Sequence, residues 1–344
     1  MLLWPAPEEA NPYVRKLADA LAQRGVVVTS GRRLASLCAR PGGASWLHVH
    51  WPEWMLHDPA RWRYRARDLW LRSLLDHARR QGLRVAWTAH NLLGHDDPHP
   101  DLGEAARRAL LARCDLVLGH FAEAEGDLRA RGFQGRFVCA AHPPFADEHP
   151  APFADEAARA RAREQLGVAP DALLLVSPGA MAPYKNLPAL AEALRATPEA
   201  RVRWVVAGRA QGETLGRMRE DARVDQLLRL ELGFQPRARL AGLIAASDAI
   251  LLGHKEFYTS GAAVLGATLG APVIAPARNH LASWRREPFF VPLDLASPEA
   301  MPRALDRVRE MGPGARARAR AFAREADWAR MAATLDRAMF EGVA

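Results

Sequence analysis

The sequence predicts an α/β protein built from two doubly wound parallel sheets, and three observations lead there. Short apolar runs alternate with helix-length amphipathic segments along the chain. The alternation lapses once, over the Pro-, Ala- and acid-rich stretch Phe145 to Ala160, and then resumes. At 344 residues the chain is long for a single core, so two domains are expected, 1 to 150 and 165 to 325, with the lapse as linker.

Met1 to Trp4 reads as the first strand. Asn11-Pro12 then joins an N-cap to a proline at the first helical position and opens a helix to about Arg24, which Gly25 stops. Strands are expected at Val26 to Val28 and at Trp46 to Val49, the latter running into His48-Val-His-Trp-Pro-Glu-Trp54. Asp58-Pro59 repeats the cap-and-proline start for an amphipathic helix to Gln81. Arg84 to Trp87 is a strand ending in Thr88-Ala-His-Asn91; Leu116 to Leu118 ends in Gly119-His120, and Phe137 to Ala140 in His142-Pro-Pro144. Beyond the linker the strands are Ala172 to Val176, Val202 to Val206, Leu228 to Leu232, Ala249 to Leu252, Pro272 to Ala275 and Phe289 to Val291.

Composition narrows the class. A hydrophobic content of 49% fits a soluble globular chain, and no run reaches the ~20 apolar residues of a membrane span. The start lacks a charged segment followed by a long apolar core, so a cytoplasmic protein is expected. Cys38, Cys114 and Cys139 are scattered without Cys-x-x-Cys spacing and read as small core residues, not a zinc site or a disulfide framework. Net charge is +8, much of it in Arg61 to Arg84, where eight arginines interleave with Trp62, Tyr64 and Trp70. The aromatics fall at helical spacing and no RNA- or DNA-binding module is present, so nucleic acid is not expected as a partner. This helix either lies on an anionic membrane surface or packs its aromatics inward with its arginines in water.

In open parallel sheets ligands bind at the carboxyl ends of strands. Six of the twelve histidines fall there: His48, His50, His90, His120, His142 and His254. Singly, His120 and His142 read as loop histidines bonded to backbone; the set reads as facing one cleft. The half after the linker supplies cations and glycines instead. In Gly253 to Pro276, a strand leads through Lys255 and Glu256 to Thr259-Ser260-Gly261, which opens a small-residue helix whose free N–H groups suit an anion. The chain has 47 basic residues but only Lys16, Lys185 and Lys255 are lysines, and two of them sit in strand-to-helix loops, where a compact ammonium suits a phosphate. A metal held by His90, His95, Asp96, Asp97 and His99 matches no ligand spacing.

Taken together, Asn11-Pro-Tyr13, His48-Val-His-Trp-Pro-Glu53, Thr88-Ala-His-Asn91, Gly179 with Tyr184-Lys-Asn186, Ala207-Gly208, Thr259-Ser-Gly261 and Gly270-Ala-Pro-Val-Ile274 resemble the GT-B nucleotide-sugar glycosyltransferases of the family-4 type. The resemblance implies two Rossmann-like domains facing a cleft, with a last helix, within 326 to 344, crossing back to the first. It implies a retaining, metal-independent transfer from a nucleotide-diphosphate sugar, with no cofactor, to a glycan or polyprenyl-linked acceptor at the inner membrane face. The donor would meet Gly179, Lys185, Arg209, Lys255, Tyr258, Thr259, Ser260 and Gly261; the catalytic pair would be His90 and Glu256. Asn11, His50, Trp51, Glu53, Asn91 and His120 would face the acceptor. Two positions where the family carries glutamate are Phe257 and Leu265, and Ala182 replaces a frequent arginine. A nucleotide-sugar 2-epimerase and a catalytically idle sugar-binding subunit are the competing readings.

Overall fold

The computed structural model describes residues 1–6, 12–31, 33–39, 42–94, 97–149, 156–197, 201–210, 216, 218 and 227–341. They form two compact units, the first comprising Met1–Pro143, Phe257–Thr259 and Ala326–Ala344, the second Pro144–Glu256 and Ser260–Glu325.

In the first unit the order is β1 (Leu2–Trp4), α1 (Pro12–Ala22), β2 (Thr29–Ser30), α2 (Leu34–Ala39), β3 (Trp46–Val49), α3 (Glu53–Leu56), α4 (Arg61–Arg80), β4 (Arg84–Thr88), α5 (Pro100–Leu111), β5 (Leu116–Gly119), α6 (Ala124–Arg129) and β6 (Arg136–Cys139). All pairings are parallel and the spatial order is β2-β1-β3-β4-β5-β6. The chain therefore reverses its winding between β1 and β3, and the loops after those two strands diverge to leave a crevice. Tyr13 and His50 stand at that reversal.

The second unit runs α7 (Glu156–Gln165), β7 (Leu173–Pro178), α8 (Leu187–Arg195), β8 (Val202–Gly208), β9 (Leu228–Leu232), α9 (Arg237–Ala246), β10 (Ala249–Leu251), α10 (Gly261–Thr268), β11 (Val273–Ala275), β12 (Phe290–Pro292), α11 (Ala300–Arg309) and α12 (Pro313–Glu325). Its sheet is also parallel, in the order β12-β11-β10-β7-β8-β9, with the reversal between β7 and β10. The central strand Leu173–Pro178 is buried at every residue, as a strand covered by helices on both faces must be. The last helix, α13 (Trp328–Phe340), packs on α1 in the first unit. It is held there by hydrogen bonds from the Trp46 indole and the Arg84 guanidinium to Met339 O, at 2.9 and 3.3 Å.

Several expectations change. The apolar run Val26 to Val28 is not a strand: Val27 is exposed and the ladder starts at Thr29, whose N–H reaches Met1 O at 2.9 Å. An edge strand needs no buried face, so hydrophobicity alone misplaced it. The start of the expected linker is packed, since Phe145 and Glu148 are buried and Glu148 pairs with Arg237. Cys38 and Cys114 are buried, but Cys139 is exposed at the end of the edge strand β6. Helix α4 divides its aromatics: Tyr64, Leu71 and Leu75 turn inward at seven- and four-residue steps, whereas Trp62, Leu69 and Trp70 are exposed. Asp58 caps no helix residue directly; its Oδ1 accepts from Ala60 N at 2.9 Å just before α4. Among the described residues no helix is long and apolar enough to cross a membrane.

Candidate functional site

In the first unit the strand ends bring five imidazoles together. His48 and His50 flank the end of β3, with ring centroids 4.4 Å apart; His90 lies 5.2 Å from His50, His120 lies 5.7 Å from His90, and His142 lies 5.0 Å from His120. Tyr13, on the first turn of α1, is their hub, with its ring 4.5 Å from His90, 5.6 Å from His120 and 5.1 Å from Trp328. Trp51 stacks on His90 at 4.3 Å and 16° and on Trp54 at 4.9 Å and 10°, in a left-handed backbone conformation (φ 42°) that is costly for a tryptophan.

The protons in this cluster can be ordered from its far end. Ala140 O can only accept, so His120 donates to it through Nδ1 at 2.8 Å and keeps a lone pair on Nε2. The Tyr13 hydroxyl donates to that nitrogen at 3.2 Å, a better acceptor than the Met331 thioether at the same distance. Thr88 hydrogen-bonds Tyr13 in turn, and His48 Nε2 lies 2.8 Å from Thr88 Oγ1. One buried chain thus runs from His48 through Thr88 and Tyr13 to His120. His142 bonds Pro143 O at 2.8 Å, so both it and His120 are backbone-bonded, as each reads alone, while also joining the cluster. Burial holds the rings neutral: it drives His48 and His120 down to about 3 and His142 to about 4, and with the neighbouring imidazoles it puts His50 and His90 well below the ordinary range.

Glu53 and Asn91 meet beside this cluster. Asn91 Nδ2 donates to Glu53 Oε1 at 3.1 Å, and Arg107 donates to Oε2 at 3.4 Å and to Leu92 O at 2.6 Å while lying 4.2 Å over the Trp87 ring. Asp97 accepts from Tyr64 and from His99 N, and the His99 ring bonds Pro59 O, so these two fix the loop before α5. His95, Asp96 and Asn11 lie outside the described residues. Among the described residues no group of three or more His, Cys, Asp or Glu is arranged to hold a metal ion.

In the second unit Gly179 follows β7 with φ +93°, and Lys185 Nζ is folded back onto Pro178 O at 2.6 Å, against the space where a Cβ on Gly179 would stand. Although it sits in a strand-to-helix loop, Lys185 is buried, and burial lowers it to about 8. Gly208 ends β8 so close to Gly179 that an added Cβ would strike the Gly179 carbonyl. The loop after β10 is tied to the same place, because Lys255 N donates to Tyr184 O at 2.7 Å and His254 stacks on Tyr184 at 5.5 Å. Ser260 caps α10, accepting from Ala263 N at 3.3 Å and leaving the N–H groups of Gly261 and Ala262 without a helical partner. Lys255, Glu256 and Arg209 are exposed, Arg209 over the Phe234 ring at 5.7 Å. Leu265 is buried.

Tyr258 and Thr259, expected at the donor, make their contacts within the first unit. Phe257–Thr259 belongs to the first unit, where the Tyr258 hydroxyl reaches Ala124 O at 3.3 Å, its ring packs 4.8 Å from Phe121, and Thr259 donates to His90 O through its hydroxyl at 2.8 Å. Tyr258 is thus a core residue. Sequence reasoning did not single out Tyr13, Thr88, Trp328 or Arg107 as site residues. For Arg107 a signal existed, since Gly103, Ala106, Arg107, Leu110 and Leu111 form one buried helix face.

No family model matches the chain. In sequence it is similar to the GDP-mannose:glycolipid 4-beta-D-mannosyltransferase of Xanthomonas campestris pv. campestris, with 28% identity over 275 residues, 77% of this chain and 70% of that protein. In structure it is similar to HepE of Anabaena in complex with UDP and glucose (TM-score 0.70, 13% identity, 98% of this chain and 97% of that one). It is similar too to the sucrose-phosphate synthase of Thermosynechococcus elongatus (TM-score 0.69, 16% identity, 98% and 96%) and to WaaG, a glycosyltransferase involved in lipopolysaccharide biosynthesis (TM-score 0.66, 14% identity, 99% and 100%). The fold is that of the GT-B proteins, as the strand-end motifs suggest.

The neutral histidines make the first unit acid-sensitive. An unfolded imidazole takes up its proton near 6.5, whereas His48, His120 and His142 do so only at about 3, 3 and 4 when folded. Between those values the unfolded chain holds more protons, so stability falls as pH falls, by about 1.4 kcal/mol per pH unit for each such ring. The urea midpoint should drop steeply from pH 6.5 to 4.5; a flat profile over that interval contradicts the burial described.

Proposed function

We propose that this chain, a glycosyltransferase of the GT-B fold, moves a hexose from a nucleoside-diphosphate sugar to a glycolipid or glycan acceptor. The observation that carries the reading is the winding reversal of the second sheet, where the Gly179 turn and the Lys255 loop are tied by the Lys255–Tyr184 hydrogen bond. A glycine turn, a lysine and a helix start with free N–H groups are the parts that a diphosphate requires. The leaving diphosphate is then stabilised by Lys185, by Arg209 and by the start of α10, without a metal. Glu256 is assigned to the sugar hydroxyls and His90 to the transferred sugar. GDP-mannose is the donor that the sequence likeness favours.

Transfer that needs an acceptor separates this reading from an epimerase or an idle subunit. With GDP-mannose and a polyprenyl-linked glycan, release of the nucleoside diphosphate should depend on the acceptor; isomerised donor, or no release with any donor, overturns the proposal. The same product settles the stereochemical course. Retention is what the resemblance implies, but the two glutamate positions are the buried Phe257 and Leu265. The Xanthomonas protein is named for a β-linked mannose, which from an α-linked donor is inversion, so inversion is the second reading. Anomeric proton couplings of the product distinguish them.

Lys185 supplies its own test. With its charge on the diphosphate, Lys185→Met should weaken nucleoside diphosphate binding about tenfold or more in calorimetry. Its melting temperature should hold or rise, because a buried ammonium is exchanged for an apolar chain of similar length. Wild-type affinity should also fall as pH rises through about 8. An affinity unchanged by the substitution removes Lys185 from the site.

The acceptor reading extends to a lipid surface. Trp54, Trp62, Leu69 and Trp70 are exposed, and Arg61, Arg63, Arg65 and Arg67 lie on the same helix as the last three, the composition of an interfacial helix. Vesicles containing anionic lipid should carry the chain down on sedimentation, neutral vesicles much less, and Trp62→Ser/Trp70→Ser should release it. Equal, negligible binding to both vesicle types confines the acceptor to solution.

A further inference from the structure

The cluster at the strand ends of the first unit contains one contact that none of the roles above uses. His50 Nδ1 lies 3.0 Å from His90 Nε2, and the other nitrogen of His50, Nε2, is buried without a hydrogen-bond partner among the described residues. We propose that His50 is a positioning residue: its Nδ1–H donates to His90 Nε2 and fixes the His90 proton on Nδ1, so that His90 meets the transferred sugar as a hydrogen-bond donor and not as a base.

Two neutral arrangements satisfy the 3.0 Å contact. In one, His50 carries its proton on Nδ1 and donates, and its unpartnered Nε2 is a lone pair. In the other, His90 donates from Nε2, and His50 then carries an N–H on Nε2 with no acceptor among the described residues. Buried donors without acceptors are the rarer and costlier defect, because a lone pair left dry loses less than an N–H left dry. The first arrangement therefore holds.

A shared extra proton is excluded by what surrounds the pair. Among the described residues the groups facing it are His48 from β3, His120 and His142 from the loops after β5 and β6, and Tyr13 from α1. None is a carboxylate, and burial and these rings together keep both imidazoles neutral. Nor can the proton relay through His120, whose Nδ1–H is committed to Ala140 O and whose Nε2 accepts from Tyr13. Trp51 stacked on His90 holds the ring plane, and with Nε2 engaged, Nδ1 is the nitrogen left to a ligand. An Nδ1–H offers a sugar oxygen a donor; it has no lone pair with which to take a hydroxyl proton.

The consequence for turnover rests on the glycosyl-transfer reading; the tautomer does not. Two-bond 1H–15N correlation of the labelled, ligand-free chain, with the ring signals assigned through His90→Gln and His50→Asn, should show His90 protonated on Nδ1 and unprotonated on Nε2 from pH 6 to 8. A proton on His90 Nε2 overturns the inference. His50→Asn, whose amide N–H replaces Nδ1–H, should keep that pattern and kcat within about threefold, whereas His50→Phe should lose the pattern and lower kcat about tenfold or more at unchanged nucleoside diphosphate affinity. A folded His50→Phe with wild-type kcat overturns the positioning role. If that variant does not fold, the wild-type tautomer still decides. A wild-type chain without transfer activity defeats the proposed function and leaves the spectrum to judge His50.

Discussion

Exclusion of water from the strand ends of the first sheet is the constraint on which the rest of that unit depends. Five imidazoles can share so small a volume only if none is charged, since each proton would repel the next in a medium that screens poorly. Neutrality in turn demands that hydrogen bonds be made in one direction, and Ala140 O, an acceptor with no alternative, sets it. Tyr13, Thr88 and His48 then have little freedom. The stacking of Trp51 on His90 and the approach of Trp328 to Tyr13 complete the dry enclosure.

The second unit meets the opposite requirement by opposite means. Where the first crowds rings together, the strand ends here are cleared of side chains: Gly179 and Gly208 approach so closely that no Cβ fits between β7 and β8. Backbone N–H groups and the long side chains of Lys185, Arg209 and Lys255 remain as the chemistry of the place. Lys185 Nζ donates to Pro178 O, the hydrogen bond that a buried ammonium requires.

What the sequence discloses depends on how local the cause is. Alternation of apolar runs, caps and glycines is local, so the two sheets, their strands and the histidine-bearing ends could be read directly. Lys185 was conspicuous against a background of arginine, but its burial depends on the Gly179 turn folding over it, which no neighbour in sequence announces. Tyr258 shows the limit most clearly. It lies two residues before Ser260 and reads as part of the same loop, yet its ring packs against Phe121 and its hydroxyl against Ala124, more than a hundred positions away. Directions of hydrogen bonds, as between His50 and His90, emerge only when every partner is in place.

Helix α13 gives the chain an order of assembly. The Trp46 indole, the Arg84 guanidinium and the buried face of α1 all find their partners on residues beyond Trp328, so the first half of the polypeptide emerges from the ribosome with part of its core uncovered. At typical synthesis rates the roughly two hundred intervening residues take about 10–40 s to appear. During that interval the second unit can complete its own sheet while the first waits with one face of α1 uncovered, which makes the nascent amino-terminal half the segment that a chaperone has most reason to hold.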